Sequence, residues 1–549
     1  MGKISLEQHQ ELVLGIDFGT TNCVVSVYID DEPQIIPIDG SNIFPTAIMF
    51  EPDLEEENKL AKVFGVQAKE AAAIYPESTV LSIKRRLGSG KKISILVDDI
   101  HHNFTPEEIA AEILSYLREK AQEYLEEELL TPCEFTGCVI TVPANSTDKQ
   151  RKMTKDAAIL AGFDTNKTFL RLEPAAAAIT YALGEDANKN LLVYDFGGGT
   201  FDACVINIEA TEGAEPIISI LSTYGDNDLG GDDIDKFIMD MVYEEFKKQT
   251  KGEIDLFAED ESPHIYRQKK MAVARLEQVS RQAKERLSFA KSTKITLTPF
   301  LQEPRIVNIN MEITREEFEN HRRINQLGDA TQDFERYKGK NLRDILDITI
   351  QCIDNCVNSA GISQVDEIFL VGGSSSITLV SQKILEKFGK EPHRSKISPA
   401  LSISLGAATY ANLILSPTAT GPKIKEKTLH PLGLEIAGRK FFEIVGAGIE
   451  IPSTGLTIES TEEFPTNFDD VTSMAIVVYE DTSPTEDKSI NRNGMKRLAG
   501  TTLQGIPKAP KGTEKVKVMF TVGQDNMLKV RAVSESQGVE TELLVDELY

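Results

Sequence analysis

Two stretches of the chain, residues 12–29 (LVLGIDFGTTNCVVSVYI) and 191–208 (LLVYDFGGGTFDACVINI), are almost continuously apolar except for a Gly- and Thr-containing turn in the middle. Apolar runs of this length bounded by turn residues predict buried strands, so each stretch is read as a two-strand hairpin. Both turns carry the same tripeptide, Asp17-Phe18-Gly19 and Asp195-Phe196-Gly197. A repeat on this scale predicts two similar α/β lobes. Between the copies, Thr105-Pro106-Glu107-Glu108 forms a capping box with proline at the first helical position, opening an amphipathic helix through Ile109, Ile113 and Leu117. Residues 231–250 and 265–290 carry helical periodicity, and Ile368-Phe369-Leu370-Val371 reads as a buried strand ending at Gly372-Gly373. Residues 401–414 predict a closing helix.

The pattern then changes. Residues 416–422 (SPTATGP) break any helix, and from 430 to 544 the chain becomes short alternating runs (441–445, 475–479, 515–522, 528–533) separated by Gly, Pro, Asn and Asp. This is an all-β region. The expected division is an α/β unit over 10–415, a linker over 416–428 and an all-β unit over 429–549.

Composition narrows the partners. The 549 residues contain 59 Lys+Arg against 86 Asp+Glu, a net charge of −27, so the surface repels nucleic acid and anionic membrane. No apolar run approaches the length of a membrane-spanning helix, and residues 1–10 lack the apolar core of a signal peptide. Six cysteines are too few to staple a chain this long and fit a reducing, cytoplasmic compartment. Cys352 and Cys356, one helical turn apart, are read as structural thiols.

The candidate chemistry is phosphate binding. Glycine-rich turns offer several converging N–H donors with no side chain in the way, and hydroxyls or a lysine add to them. Two such turns facing each other across a cleft could hold a polyphosphate from both sides, with Asp17 and Asp195 aimed at a hydrated Mg²⁺. The other common nucleotide signature, G-x-x-x-x-G-K-[ST], is absent: Gly90-Lys91 would need glycine at position 85, which is Arg85.

Six segments in order carry a family resemblance: Asp17-Phe18-Gly19-Thr20-Thr21-Asn22, Val139-Ile140-Thr141-Val142-Pro143-Ala144, Glu173-Pro174-Ala175-Ala176-Ala177, Tyr194 through Asp202, Leu229-Gly230-Gly231-Asp232-Asp233 and Val371-Gly372-Gly373. Together they resemble the DnaK-type, seventy-kilodalton heat-shock chaperones, strongly over about 12–414 and weakly over 429–545; actin and the sugar kinases share only the two phosphate turns. The resemblance implies an actin-like two-lobed ATPase followed by a β-sandwich that grips extended apolar peptide. It implies ATP/ADP and Mg²⁺ as cofactors, unfolded polypeptide as substrate, and a J-domain co-chaperone and nucleotide exchange factor as partners, with no role for nucleic acid or membrane.

Carried over by motif, Gly19, Thr20, Thr21, Asn22, Gly197, Gly198, Gly199 and Thr200 would hold the phosphates. Gly230, Gly231, Lys284, Ser288, Gly372 and Gly373 would complete the nucleotide site. Asp17 and Asp195 would hold hydrated Mg²⁺. Lys84 would stabilise the transferring phosphoryl group, with Glu173, Asp195 and Thr200 orienting water or metal. Pro143 and Arg151 would relay nucleotide state, and Leu434, Met474 and Ile476 would touch peptide.

Three departures from the family carry expectations. In the adenine slot Arg281 replaces an acid, Glu285 stands where many relatives have arginine, and Ser374-Ser375-Ser376 replaces a segment that usually includes one; Arg286 is the guanidinium left to reach over. The linker, Gly421-Pro422-Lys423-Ile424-Lys425-Glu426-Lys427, has one apolar residue and is expected to dock poorly on the lobes. No helical lid follows the last predicted strand, which predicts fast peptide exchange. An ATP-dependent chaperone is the leading reading; the alternatives are an ATP-binding co-chaperone or interaction partner with little turnover and, third, a sugar kinase.

Overall fold

Both apolar stretches fold as hairpins. Leu12–Phe18 pairs antiparallel with Asn22–Ile29, and Lys189–Phe196 with Phe201–Thr211. The computed structural model describes residues 12–544 except 57–58, 130–132, 183–187, 212–213, 259–261, 329–330, 394–397, 416–422, 429, 453–454, 482–484, 493, 524–527, 535 and 537. Each hairpin gains a third antiparallel strand, Glu32–Ile36 in the first and Ala214–Asp226 in the second. Each first strand also pairs in parallel with a later strand, Phe135–Val142 in one sheet and Glu367–Val371 in the other. The first sheet continues to Thr168–Leu172, where the second has an isolated Phe369–His393 bridge. The result is two α/β lobes of like topology.

Alternation along Lys189–Phe196 sends successive side chains to two different cores. Leu191 and Val193 join the core shared with the first sheet, whereas Leu192, Tyr194 and Phe196 pack with the helices Gly231–Thr250, Pro263–Leu287 and Leu342–Ala360. The helices Glu173–Ala182 and Pro399–Leu415 contact both sheets. Their small residues permit this: a Cβ on Gly406 would fall 1.8 Å from the Ala176 carbonyl oxygen. All ten residues of Glu173–Ala182 are buried, so this Ala-rich helix seats Glu173 at its N-terminus beneath the cleft. The predicted capping box opens the helix Pro106–Leu129, with the Thr105 N–H donating to Glu108 Oε2 at 2.7 Å.

The C-terminal region is all β, as its pattern predicts. One sheet orders Lys440–Val445, Leu432–Ile436, Ser473–Asp481 and Met495–Gln504; the other orders Leu456–Glu459, Lys515–Val522, Leu528–Ser534 and Glu540–Leu544. Met474, Ile476 and Val478 share one face of their strand, and that face packs into the sandwich core. Leu434 and Ile476 are each only 3% exposed, so in this structure they are core residues, not the peptide contacts expected of them; Met474 is half-buried at the edge of the same core.

The polar linker is the second correction. Gly421 and Pro422 lie outside the described residues, but Lys423–Lys427 forms a strand parallel to Ala214–Asp226, with Ile218 opposite Ile424, and then pairs with Glu450–Ile451 of the β-region. Docking poorly was expected from its side chains. Strand addition works instead through main-chain N–H and C=O groups, which lysine supplies as well as leucine, and the one isoleucine packs against the lobe core. Among the described residues no helix is long and apolar enough to cross a membrane.

Candidate functional site

The hairpin turns of the two lobes meet face to face. A Cβ on Gly198 would lie 2.0 Å from Thr21 Oγ1, and one on Gly199 would lie 2.6 Å from Thr20 Oγ1. Only glycine lets the turns approach this closely. The third glycine turn closes against them: Gly372 has φ +78°, and a Cβ there would meet the Phe196 carbonyl oxygen at 2.5 Å. Gly230 and Gly231 open the helix Gly231–Thr250, whose first N–H groups donate back to the Gly197 and Gly198 carbonyls at 3.0 and 2.8 Å.

A cavity of about 300 Å³ opens between these turns. Of the residues singled out in the sequence, Asp17, Gly19, Thr20, Thr21, Asn22, Lys84, Glu173, Asp195, Gly197, Gly198, Thr200, Lys284, Ser288, Gly372 and Gly373 line it. Gly199, Gly230 and Gly231 shape the turns from behind that wall.

The floor of the cavity is a knot of buried charge. Lys84, in the single helical turn Ile83–Arg86, donates to Glu173 Oε1 at 2.5 Å, each side chain 9% exposed. Burial would lower the Lys84 pKa, but Glu173 and Asp17 outweigh it and hold the ammonium charged. Burial and then Glu173 push the Asp17 carboxyl up to about 7, opposed by Lys84 and by the Thr141 hydroxyl at 3.2 Å. Burial, Glu173, Asp202 and Asp17 drive Asp195 well above the usual carboxylate range. Asp202 is raised to about 7, again mainly by burial, although Asn145 donates to it from its side chain at 2.8 Å.

Four carboxyl groups thus surround one ammonium. Asp195 Oδ2, Asp202 Oδ2 and Thr21 Oγ1 are buried with no hydrogen-bond partner. Buried carboxylate oxygens without donors are satisfied by a cation or by its water shell. These oxygens fit a hydrated ion, since Mg²⁺ dehydrates reluctantly and is commonly held through waters.

Sequence reasoning missed the groups that clamp the lobes together. The Arg85 guanidinium donates to the Gly199 carbonyl at 2.7 Å and to Asp233 at 2.5 Å, and Ser82 Oγ donates to Asp232 at 2.9 Å. These partners lie far apart in the chain, and no local pattern announces them. At the far end of the cavity Arg281 is held by Asp232 and Asp235 at 3.3 and 3.4 Å, while Lys284 pairs with Asp235 at 2.8 Å and donates to the Gly231 carbonyl at 2.7 Å. Arg286 is exposed and off the cavity wall.

Pro143 lines a second cavity of about 260 Å³ that shares Thr20, Lys84 and Thr200 with the first. Arg151 Nε reaches Ser146 Oγ at 3.2 Å, and that hydroxyl donates to the Pro143 carbonyl at 2.7 Å, so the two residues are joined through Ser146. The helical thiols Cys352 and Cys356 are each raised to about 11 by burial, which leaves them protonated and inert.

Comparison with known proteins agrees with this architecture. The family model described as Hsp70 protein matches residues 13–548. Similar curated proteins include the "Chaperone protein DnaK" of Thermotoga petrophila, Thermotoga maritima and Thermotoga neapolitana, each 33% identical over 552 residues that cover 98% of this chain and 81% of the relative. A family match spanning both lobes and the β-region, together with identity sustained along nearly the whole chain, means that the chain belongs to the Hsp70 family.

Proposed function

We propose that this protein is an ATP-dependent molecular chaperone: residues 12–415 bind and hydrolyse Mg·ATP, and the β-sandwich from 430 onward binds extended apolar segments of unfolded polypeptide. The observation that carries the reading is the pair of glycine turns locked against each other at Gly198–Thr21 and Gly199–Thr20, above the buried Lys84–Glu173 pair. Backbone N–H groups of both turns, with the Thr20, Thr21 and Thr200 hydroxyls, cradle the phosphates. Bound Mg²⁺ supplies positive charge that offsets the phosphate oxygens and the excess of buried carboxylates. Lys84 offers its ammonium to the γ-phosphoryl oxygens as charge builds on them, and Glu173, bonded to Lys84, orients the attacking water. Such positioning and electrostatic stabilisation account for most phosphoryl-transfer catalysis. Arg85, bonded to Gly199 and Asp233 across the cleft, keeps the two halves of the cradle in register.

Six unpaired cysteines support a reducing, cytoplasmic setting. Family membership supports roles in protein folding and the stress response, and a J-domain co-chaperone and a nucleotide exchange factor as partners. A second reading, an ATP-binding interaction partner with little turnover, is favoured by one observation: Leu434 and Ile476 are closed inside the sandwich core. Single-turnover hydrolysis with and without an unfolded peptide, repeated with candidate sugars, separates the readings. Peptide-stimulated turnover supports the chaperone, binding without turnover supports the partner, and a phosphorylated sugar would sink both.

A further inference from the structure

Large apolar side chains left in water are informative when they gather on one cavity. Phe289 is 84% exposed and Ile43 37% exposed, and both line the phosphate-turn cavity. They come from opposite lobes: Ile43 lies beside the first hairpin, and Phe289 just beyond the helix Pro263–Leu287. The buried side chains of Ile377 and Ile403 extend the same apolar wall.

Most of the polar groups nearby are already committed, Glu285 and Ser376 of the same wall excepted. Arg281 and Lys284 are held by Asp232, Asp235 and the Gly231 carbonyl. The Ser374 hydroxyl donates to the Gly197 carbonyl at 2.8 Å, the Ser375 hydroxyl to the Val371 carbonyl, and the Ser288 hydroxyl to the Lys284 carbonyl at 3.2 Å. The backbone that carries Phe289 is itself fixed. Its N–H donates to the Arg286 carbonyl at 3.0 Å, and the Arg315 guanidinium grips the Leu287 and Ala290 carbonyls at 2.7 and 2.9 Å on either side. An aromatic ring held out over a cavity by a clamped backbone loses little freedom when something stacks on it.

Resting on the nucleotide reading above, we infer that the nucleobase stacks on Phe289, with Ile43 of the other lobe as the opposing wall, and that stacking, more than hydrogen bonds to the base edge, sets base preference. Every base has a π-face, so stacking is tolerant of base identity, and an apolar slot discriminates poorly between similar shapes. The slot therefore accepts both purines with similar affinity.

Calorimetric titration of Mg²⁺-loaded ATP, GTP and inorganic tripolyphosphate into the full chain and its Phe289→Ser and Phe289→Tyr variants tests this. Phe289→Ser should weaken ATP about tenfold or more, the usual scale for losing one stacked base, and Phe289→Tyr should restore most of the loss. Tripolyphosphate, which has no base, should bind all three proteins alike, and the unmodified chain should hold ATP and GTP within about tenfold of each other. ATP affinity unchanged in Phe289→Ser, or an ATP preference over GTP above about a hundredfold, overturns the stacking inference alone. So does loss of tripolyphosphate in step with ATP. An unmodified chain that binds neither ATP nor tripolyphosphate overturns the nucleotide reading and this inference with it.

Discussion

Replacing Asp17 by asparagine should stabilise the nucleotide-free protein, and more so as pH rises. Burial and the neighbouring Glu173 hold the Asp17 carboxyl at about 7 against an ordinary 3.8. A carboxyl whose folded pKa is raised binds its proton more tightly in the native state than in the unfolded one. Its ionisation therefore opposes folding increasingly as pH climbs from about 4 through about 7, and that opposition is absent below the unfolded value. The whole gap is worth about 4 kcal/mol at ~1.4 kcal/mol per tenfold, an upper bound because Glu173, Asp195 and Lys84 share the field and relax when one charge goes. From pH 5 to pH 8 the same arithmetic leaves a change of about 2.6 kcal/mol. The asparagine side chain can still accept the Thr141 hydroxyl, now 3.2 Å away, so little hydrogen bonding is lost. Urea denaturation of both proteins without Mg²⁺ or nucleotide, at pH 5 and pH 8, gives the difference directly. Calorimetry of Mg·ADP binding at pH 7 in two buffers of different ionisation heat gives a second readout: the unmodified chain should release at least about half a proton per nucleotide, and Asp17→Asn less. An Asp17→Asn protein that is less stable at pH 8, or equally shifted at both pH values, would refute the account of an under-compensated acidic floor.

Lys84→Ala and Thr200→Ala should each lower single-turnover hydrolysis about 10²-fold or more while nucleotide affinity stays within about tenfold, because their help is concentrated on the transferring group; equal losses in both would make them part of the cradle only. Gly198→Ala, whose Cβ would fall 2.0 Å from Thr21 Oγ1, should force the turns apart and abolish the thermal stabilisation given by millimolar Mg·ATP. Because Lys423–Lys427 docks through its main chain, alanine at Lys423, Lys425 and Lys427 together should leave protease protection of this strand unchanged at low and high salt, whereas Ile424→Asp should remove it.

Much of this molecule was legible along the chain because it is written in local periodicity. The paired Asp-Phe-Gly hairpins, the Thr105 capping box and the strand ending at Gly372 all appear where the residue pattern puts them, since strand, turn and cap preferences act over a few neighbouring residues. The two-lobed architecture followed from finding the same hairpin twice. The face that a sandwich strand turns inward was not legible: alternation groups Met474 with Ile476, but packing against the opposite sheet decides that this face is core and not groove. The linker misled for a related reason, because side-chain polarity says nothing about an open strand edge more than two hundred positions earlier, where Ile218 awaits Ile424. The lobe clamp from Arg85 to Asp233, the orphaned oxygens of Asp195 and Asp202, and the exposed ring of Phe289 on the cavity wall belong to the same class. Each depends on which distant groups share a low-dielectric space. Sequence determined the elements and the phosphate turns; only tertiary packing decided which charges are compensated, which apolar surfaces stay open, and where the linker rests.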